Sequence, residues 1–134
     1  MRPDDSALRF DIVPWFHGRV LDISEGSSKA FPHFISHIDC GITDADKLGL
    51  FSDGGLDGVL SSFLLDKLTE SERVSALREW ARVVRDGGHI VLHVQDAMTY
   101  DAVVGIMDRI DRSWDLVHFE SRERNELLFS FQLQ

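Results

Sequence analysis

The chain has 134 residues, of which 43% are hydrophobic and 28% charged, a length and balance that fit one soluble globular domain spanning residues 1–134 with its own apolar core. Its formal net charge of −9 opposes phosphate backbones and anionic lipid headgroups, so no nucleic acid and no membrane is expected as a partner. A single cysteine, Cys40, excludes an intramolecular disulfide and a cysteine-built zinc site, and Met1-Arg2-Pro3-Asp4-Asp5 lacks the apolar run of a signal peptide; both point to the cytoplasm.

The first element expected is a helix capped by Asp4, Asp5 or Ser6, carrying Leu8, Ile12, Val13 and Trp15 and ended by Gly18. Arg19 to Ser24 reads as a short buried strand running into a Gly/Ser-rich turn, and Ser36 to Ile42 as a second strand. The turn signal Ser52-Asp53-Gly54-Gly55 introduces a third, Leu56 to Ser62. Thr69-Glu70-Ser71-Glu72 matches a capping box, and the helix behind it places Val74, Leu77, Ala81 and Val84 on one face. Asp86-Gly87-Gly88 is expected to stop that helix, because glycine takes the left-handed cap conformation cheaply.

His89 to Val94 follows as a strand of the sheet interior, and Asp101 to Ile110 as a helix with Val103, Val104, Met107 and Ile110 on one side. The carboxyl terminus alternates: Leu127, Phe129, Phe131 and Leu133 fall on one face, with Glu126, Ser130 and Gln132 on the other, the period of a half-buried strand. Trp114 to Glu120 is expected to pair with it across the tip Arg122-Glu123-Arg124-Asn125. Strands alternating with helices and closing on a hairpin imply an α/β fold with a mostly parallel sheet and an antiparallel edge.

Three segments carry a resemblance. Arg19-Val20-Leu21-Asp22-Ile23-Ser24-Glu25-Gly26 is similar to the first strand and glycine-rich turn of class I S-adenosylmethionine-dependent methyltransferases. Asp44 to Leu48 with Phe51 to Val59 resembles that family's adenine-side motif leading into its fourth strand, and Ala76 to Leu92 its helix-turn-strand signature. The short spacing from Gly26 to Asp44 resembles the compact, type 11 members of the family. The resemblance implies a Rossmann-like sheet with helices on both faces, S-adenosyl-L-methionine as cofactor, and methyl transfer to a small-molecule or glycan-related acceptor. It also implies the site: Asp22, Ser24, Glu25 and Gly26 along the methionine end, Asp39 on the ribose, Asp44 and Ala45 facing the adenine, and Ser61, Ser62 and Phe63 near the transferred methyl group.

Read as residues alone, Asp22, Asp39 and Asp44 are equally at home as turn or capping groups at strand ends. Two departures from the family pattern bear on function. The turn Ser24-Glu25-Gly26-Ser27-Ser28 keeps one of the usual glycines, and a Glu25 carboxylate beside the cofactor's own would cost on the order of 1–4 kcal/mol. Ser62 to Leu68 holds no histidine, where compact relatives carry one, so no base is expected there. These departures set a second reading beside the enzyme: a non-catalytic scaffold that has lost the cofactor and binds a protein partner or a second copy of itself. His89 and His93 share a strand face, and His33 and His37 flank a strand start, but neither pair brings a third ligand and no metal is expected.

Overall fold

The apolar runs of the chain meet in one six-stranded sheet, shown by a computed structural model that describes residues 15, 18–23, 35–37, 49, 51–95, 98–122 and 125–134. In chain order these are β1 (Val20–Asp22), β2 (Ile35–His37), β3 (Leu56–Ser62), helix α1 (Glu70–Val83), β4 (Val84–Val94), helix α2 (Tyr100–Met107), β5 (Trp114–Arg122) and β6 (Glu126–Leu133), with a 3-10 turn at Leu65–Lys67. The strand order is β2-β1-β3-β4-β6-β5. β1 to β4 pair in parallel, in a register that aligns Leu21 with Val59 and Val59 with Ile90. β6 runs antiparallel to both β4 and β5, as the expected hairpin requires.

Both described helices pack on one face. Val74, Leu77, Trp80 and Ala81 of α1 and Val103, Ile106 and Met107 of α2 join Val59, Ile90, Leu92, Phe129 and Phe131 of the sheet in one buried cluster. Thr69 starts α1 by accepting from the Glu72 N–H at 3.3 Å, and the Glu72 carboxylate accepts from the Thr69 N–H at 2.8 Å. The bond from the Thr69 N–H, with a contribution from the Thr69 side chain, holds the Glu72 carboxyl below its usual range. Thr99 starts α2 in the same way, accepting from the Ala102 N–H. No helix among the described residues is long and apolar enough to cross a membrane.

The end of α1 differs from expectation. The helix stops at Val83, and Asp86-Gly87-Gly88 already belongs to β4, with Val84 extended and aligned with Leu56. The carbonyls freed at this end find a partner far along the chain. Arg112 donates to the carbonyl oxygens of Ala81 and Val84, groups that continued helix would have occupied, and to the Asp86 carboxylate at 2.8 Å. Gly88 serves close strand approach rather than helix capping: a Cβ there would meet the Asp57 carbonyl oxygen at 2.5 Å. β6 also differs. It lies between β4 and β5, so Glu126, Leu128 and Ser130 are buried along with Phe129 and Phe131, and the strand is covered on both faces.

Of the expected first helix only Trp15 is described, with its ring centroid 4.9 Å from that of His118 on β5. Gly18 has φ +77°, a left-handed conformation that glycine takes readily, and a side chain there would strike the Asp57 carboxylate.

Candidate functional site

The strand order places the site. β1 is followed on one side by β2 and flanked on the other by β3, so strand order reverses between β1 and β3. In an open α/β sheet, the crevice beyond the carboxyl ends at such a reversal receives ligands. Asp22 is the last residue of β1, and Ser61 and Ser62 end β3. The Ile23 N–H donates to the Leu60 carbonyl at 2.8 Å, locking the two strand ends side by side.

All three side chains are buried, and alternation along the strands sends them to different faces. Leu21, Ile23 and Val59 belong to the cluster beneath the helices, and Ser61 follows Val59 on that side. Asp22 and Ser62 point to the opposite face, with Val20 and Leu60. The Ser61 hydroxyl has no hydrogen-bond partner among the described residues.

Ser62 opens a chain of polar contacts that local sequence does not reveal. Its Oγ lies 3.0 Å from Nδ1 of His93 on β4, and His93 Nε2 lies 2.7 Å from Oε1 of Glu126 on β6. The Phe63 ring covers the imidazole at 4.4 Å between centroids, held there by a left-handed backbone (φ +59°) and by its N–H donating to the His93 carbonyl at 2.8 Å. The imidazole comes from outside the segment considered in the sequence. The segment after β3 has none, and the neighbouring parallel strand supplies one in register with Ser62. The signal was strand parity: His93 is out of phase with Ile90, Leu92 and Val94, and so shares a face with Ser62. Glu126 is corrected, from a solvent-facing position to a buried partner.

His89 and His93 share a face, as expected, but four strand steps put them about 13 Å apart, beyond the span of one metal ion. His89 is half-buried and aligned with Gly58 and Gln132. Among the described residues no three of His, Cys, Asp and Glu gather as a metal site. Ser24, Glu25, Gly26, Asp39, Asp44 and Ala45, with His33, lie outside the described residues, and His37 is described in its backbone alone.

The residues present suit S-adenosylmethionine. A buried carboxylate at the end of β1 complements a ligand carrying ammonium and sulfonium charge, and the Ser61 hydroxyl retains hydrogen-bonding capacity at the next strand end.

Comparison with known proteins agrees. A family model described as a methyltransferase domain matches residues 17–92, more than half of the chain. No curated protein matches the chain. Among solved structures, the 1,6-didemethyltoxoflavin-N1-methyltransferase of Burkholderia thailandensis, with bound 1,6-didemethyltoxoflavin and S-adenosylhomocysteine, superposes with a TM-score of 0.72 at 12% identity, covering 96% of this chain and 76% of that one. A TehB-like SAM-dependent methyltransferase of Corynebacterium glutamicum gives 0.70 at 12% identity, covering 99% and 89%. A SAM-dependent methyltransferase of Archaeoglobus fulgidus gives 0.68 at 12% identity, covering 98% and 95%.

Proposed function

The chain belongs to the methyltransferase domain family, of the class I S-adenosylmethionine-dependent type, and from that premise we propose that it transfers a methyl group to a small-molecule or glycan-related acceptor. The observation that carries the reading is the placement of Asp22, Ser61 and Ser62 at the carboxyl ends of β1 and β3, on either side of the point where strand order reverses. When bound, S-adenosylmethionine supplies an activated methyl group, and the protein's task is to hold the two reactants in line and keep water away. Asp22 takes the cationic groups of the cofactor's methionine end, and Ser24, Glu25 and Gly26, next in the sequence, lie along that end with Glu25 beside the cofactor's carboxylate. Asp39 takes the ribose, Asp44 and Ala45 the adenine, and Ser61 and Ser62 border the methyl group. A net charge of −9 supports a small acceptor over a nucleic acid.

Isothermal titration calorimetry with S-adenosylhomocysteine tests this. The full chain should bind one equivalent, and Asp22→Asn should weaken binding at least about tenfold, equal to about 1.4 kcal/mol. Absence of heat and of thermal stabilisation at millimolar ligand would remove the reading.

A further inference from the structure

A strand at the edge of a sheet leaves half of its backbone N–H and C=O groups without a strand partner, which makes it a template for another strand. Among the described residues β5 is such an edge, lying beyond β6 and running nine residues, Trp114–Arg122. Its pairing with β6 shifts register between Leu116 and His118, so Val117 stands in a bulge and the regular edge begins at His118. The exposed large apolar side chains of the described residues gather here: Tyr100 at the start of α2, Val117 and Phe119 are 42%, 43% and 40% exposed. Tyr100 sets its ring edge against Phe119 at 4.9 Å between centroids, and Phe119 lies 5.0 Å from buried Phe129. The aromatic packing of the core thus continues past the last strand and ends in solvent, as at an interaction surface.

Charge selects the occupant. With 23 acidic residues against 14 Lys and Arg, two copies of the chain repel over most of their surfaces. β5 is an exception, setting Asp115 and Glu120 against Arg122 with His118 among them. On the face away from α1 and α2, His118 Nε2 lies 3.7 Å from Glu120 Oε1, and Arg122 Nη1 donates to the same oxygen at 3.0 Å. This edge is also self-complementary. In an antiparallel pair, residues directly opposite share a face, so a two-fold axis through Phe119 and normal to the sheet brings the two Phe119 rings together. The same axis sets His118 of each copy against Glu120 of the other and adds the two Tyr100 rings on the helix side.

We propose that the outer edge of β5 is a self-association surface, on which a second copy of this chain docks its own β5 antiparallel about a two-fold axis at Phe119. The contact joins the two sheets into one. A two-fold contact of this kind closes on itself, so it yields a dimer and not a filament. The bulge at Val117 breaks the regular pairing on either side of the axis, which keeps the contact short and the dimer reversible. The aromatic cluster supplies the apolar centre of the contact, and the paired His118 and Glu120 side chains set its register.

Sedimentation velocity of the full chain tests this without reference to methyl transfer. Between about 1 and 500 µM the chain should pass from monomer to dimer with a Kd of about 10–100 µM, as suits a small contact. Phe119→Glu, which sets two carboxylates face to face on the axis, should raise Kd at least about tenfold. Because Phe119 also touches the core, a second pair of variants guards against misfolding: His118→Glu should weaken the dimer, and adding Glu120→Lys to it should restore the dimer by rebuilding opposite charges across the axis. In a Cys40→Ser background, Phe119→Cys should give a disulfide-linked dimer on mild oxidation, since opposed Cα atoms stand about 4.5–5.5 Å apart, whereas Asp115→Cys should not. A chain still monomeric at about 500 µM would overturn the proposal and leave the edge to a strand of another protein. A dimer indifferent to Phe119→Glu and His118→Glu, or one that oxidation links through Asp115→Cys in place of Phe119→Cys, would overturn it as well.

Discussion

The two faces of the sheet bury their side chains for different ends. Beneath α1 and α2 the buried groups are almost all apolar, from Leu21 and Val59 through Trp80 to Phe129 and Phe131; Ser61 at the end of β3 is the exception, and the other polar groups nearby cap helices or clamp carbonyls at the margin. On the opposite face Asp22, Ser62, His93, Glu126 and Ser130 are buried too, clustered toward the carboxyl ends of the parallel strands. A face that served stability alone would resemble the first, since burying a polar group costs free energy that pairing only partly returns. The second face accepts that cost beside the crevice where the topology directs a ligand. Substitutions on the two faces should therefore separate, the first moving stability and the second moving binding and turnover.

The largest effect belongs to the helix face. Trp80 is fully buried in the cluster, so Trp80→Ala should lower unfolding free energy by about 3–5 kcal/mol in urea titrations. A loss under about 1 kcal/mol would mean that the cluster is loosely packed and the contrast between faces overstated.

Next comes the turn after β1, which sharpens the ligand side. In the proposed cofactor-binding segment, replacing Ser24, Glu25 and Ser28 together with glycine removes three side chains, one of them a carboxylate. Affinity for S-adenosylmethionine, read by calorimetry, should rise about ten- to a thousandfold, matching about 1–4 kcal/mol of relieved repulsion. The variant should melt slightly lower without ligand, because added glycines loosen the unfolded chain. Unchanged affinity would show that Glu25 does not oppose the cofactor.

The smallest effect is local. Thr69→Ala removes the bond to the Glu72 N–H and should cost about 1 kcal/mol in the same urea assay while leaving S-adenosylhomocysteine affinity unaltered. A change in affinity would couple the helix face to the crevice and blur the division.

Much of the helix face was legible in the sequence, because its determinants are local. β3 runs from Leu56 to Ser62 as its apolar pattern and the preceding Gly54-Gly55 turn indicate, and the Thr69 box sits where Thr69-x-x-Glu72 places it. The misplaced end of α1 shows the boundary of such reading. Gly87 and Gly88 look like a helix stop, yet the chain leaves the helix at Val84, where it pairs with Leu56 and the Arg112 guanidinium takes the carbonyls of Ala81 and Val84. β6 looked half-buried because its alternation is clear, whereas its position inside the sheet depends on β5 folding outside it.

The candidate site was legible only in part, for the same reason. Asp22, Ser61 and Ser62 were placed by resemblance to the family, and they stand at the ends of β1 and β3. The partnership of Ser62 with His93 and Glu126 spans 31 and then 33 residues, and only the pairing of three strands brings it about.

The central claim is that ligand binds at the carboxyl ends of β1 and β3. Amide chemical-shift mapping of the full chain during titration with S-adenosylhomocysteine tests it most directly. The account predicts the largest shifts at Asp22, Ile23, Ser61, Ser62 and Phe63, with Gly54, Gly88 and the surface around Asp108, Arg112 and Trp114 nearly still. Shifts concentrated on that surface, or spread evenly along the sheet, would contradict it.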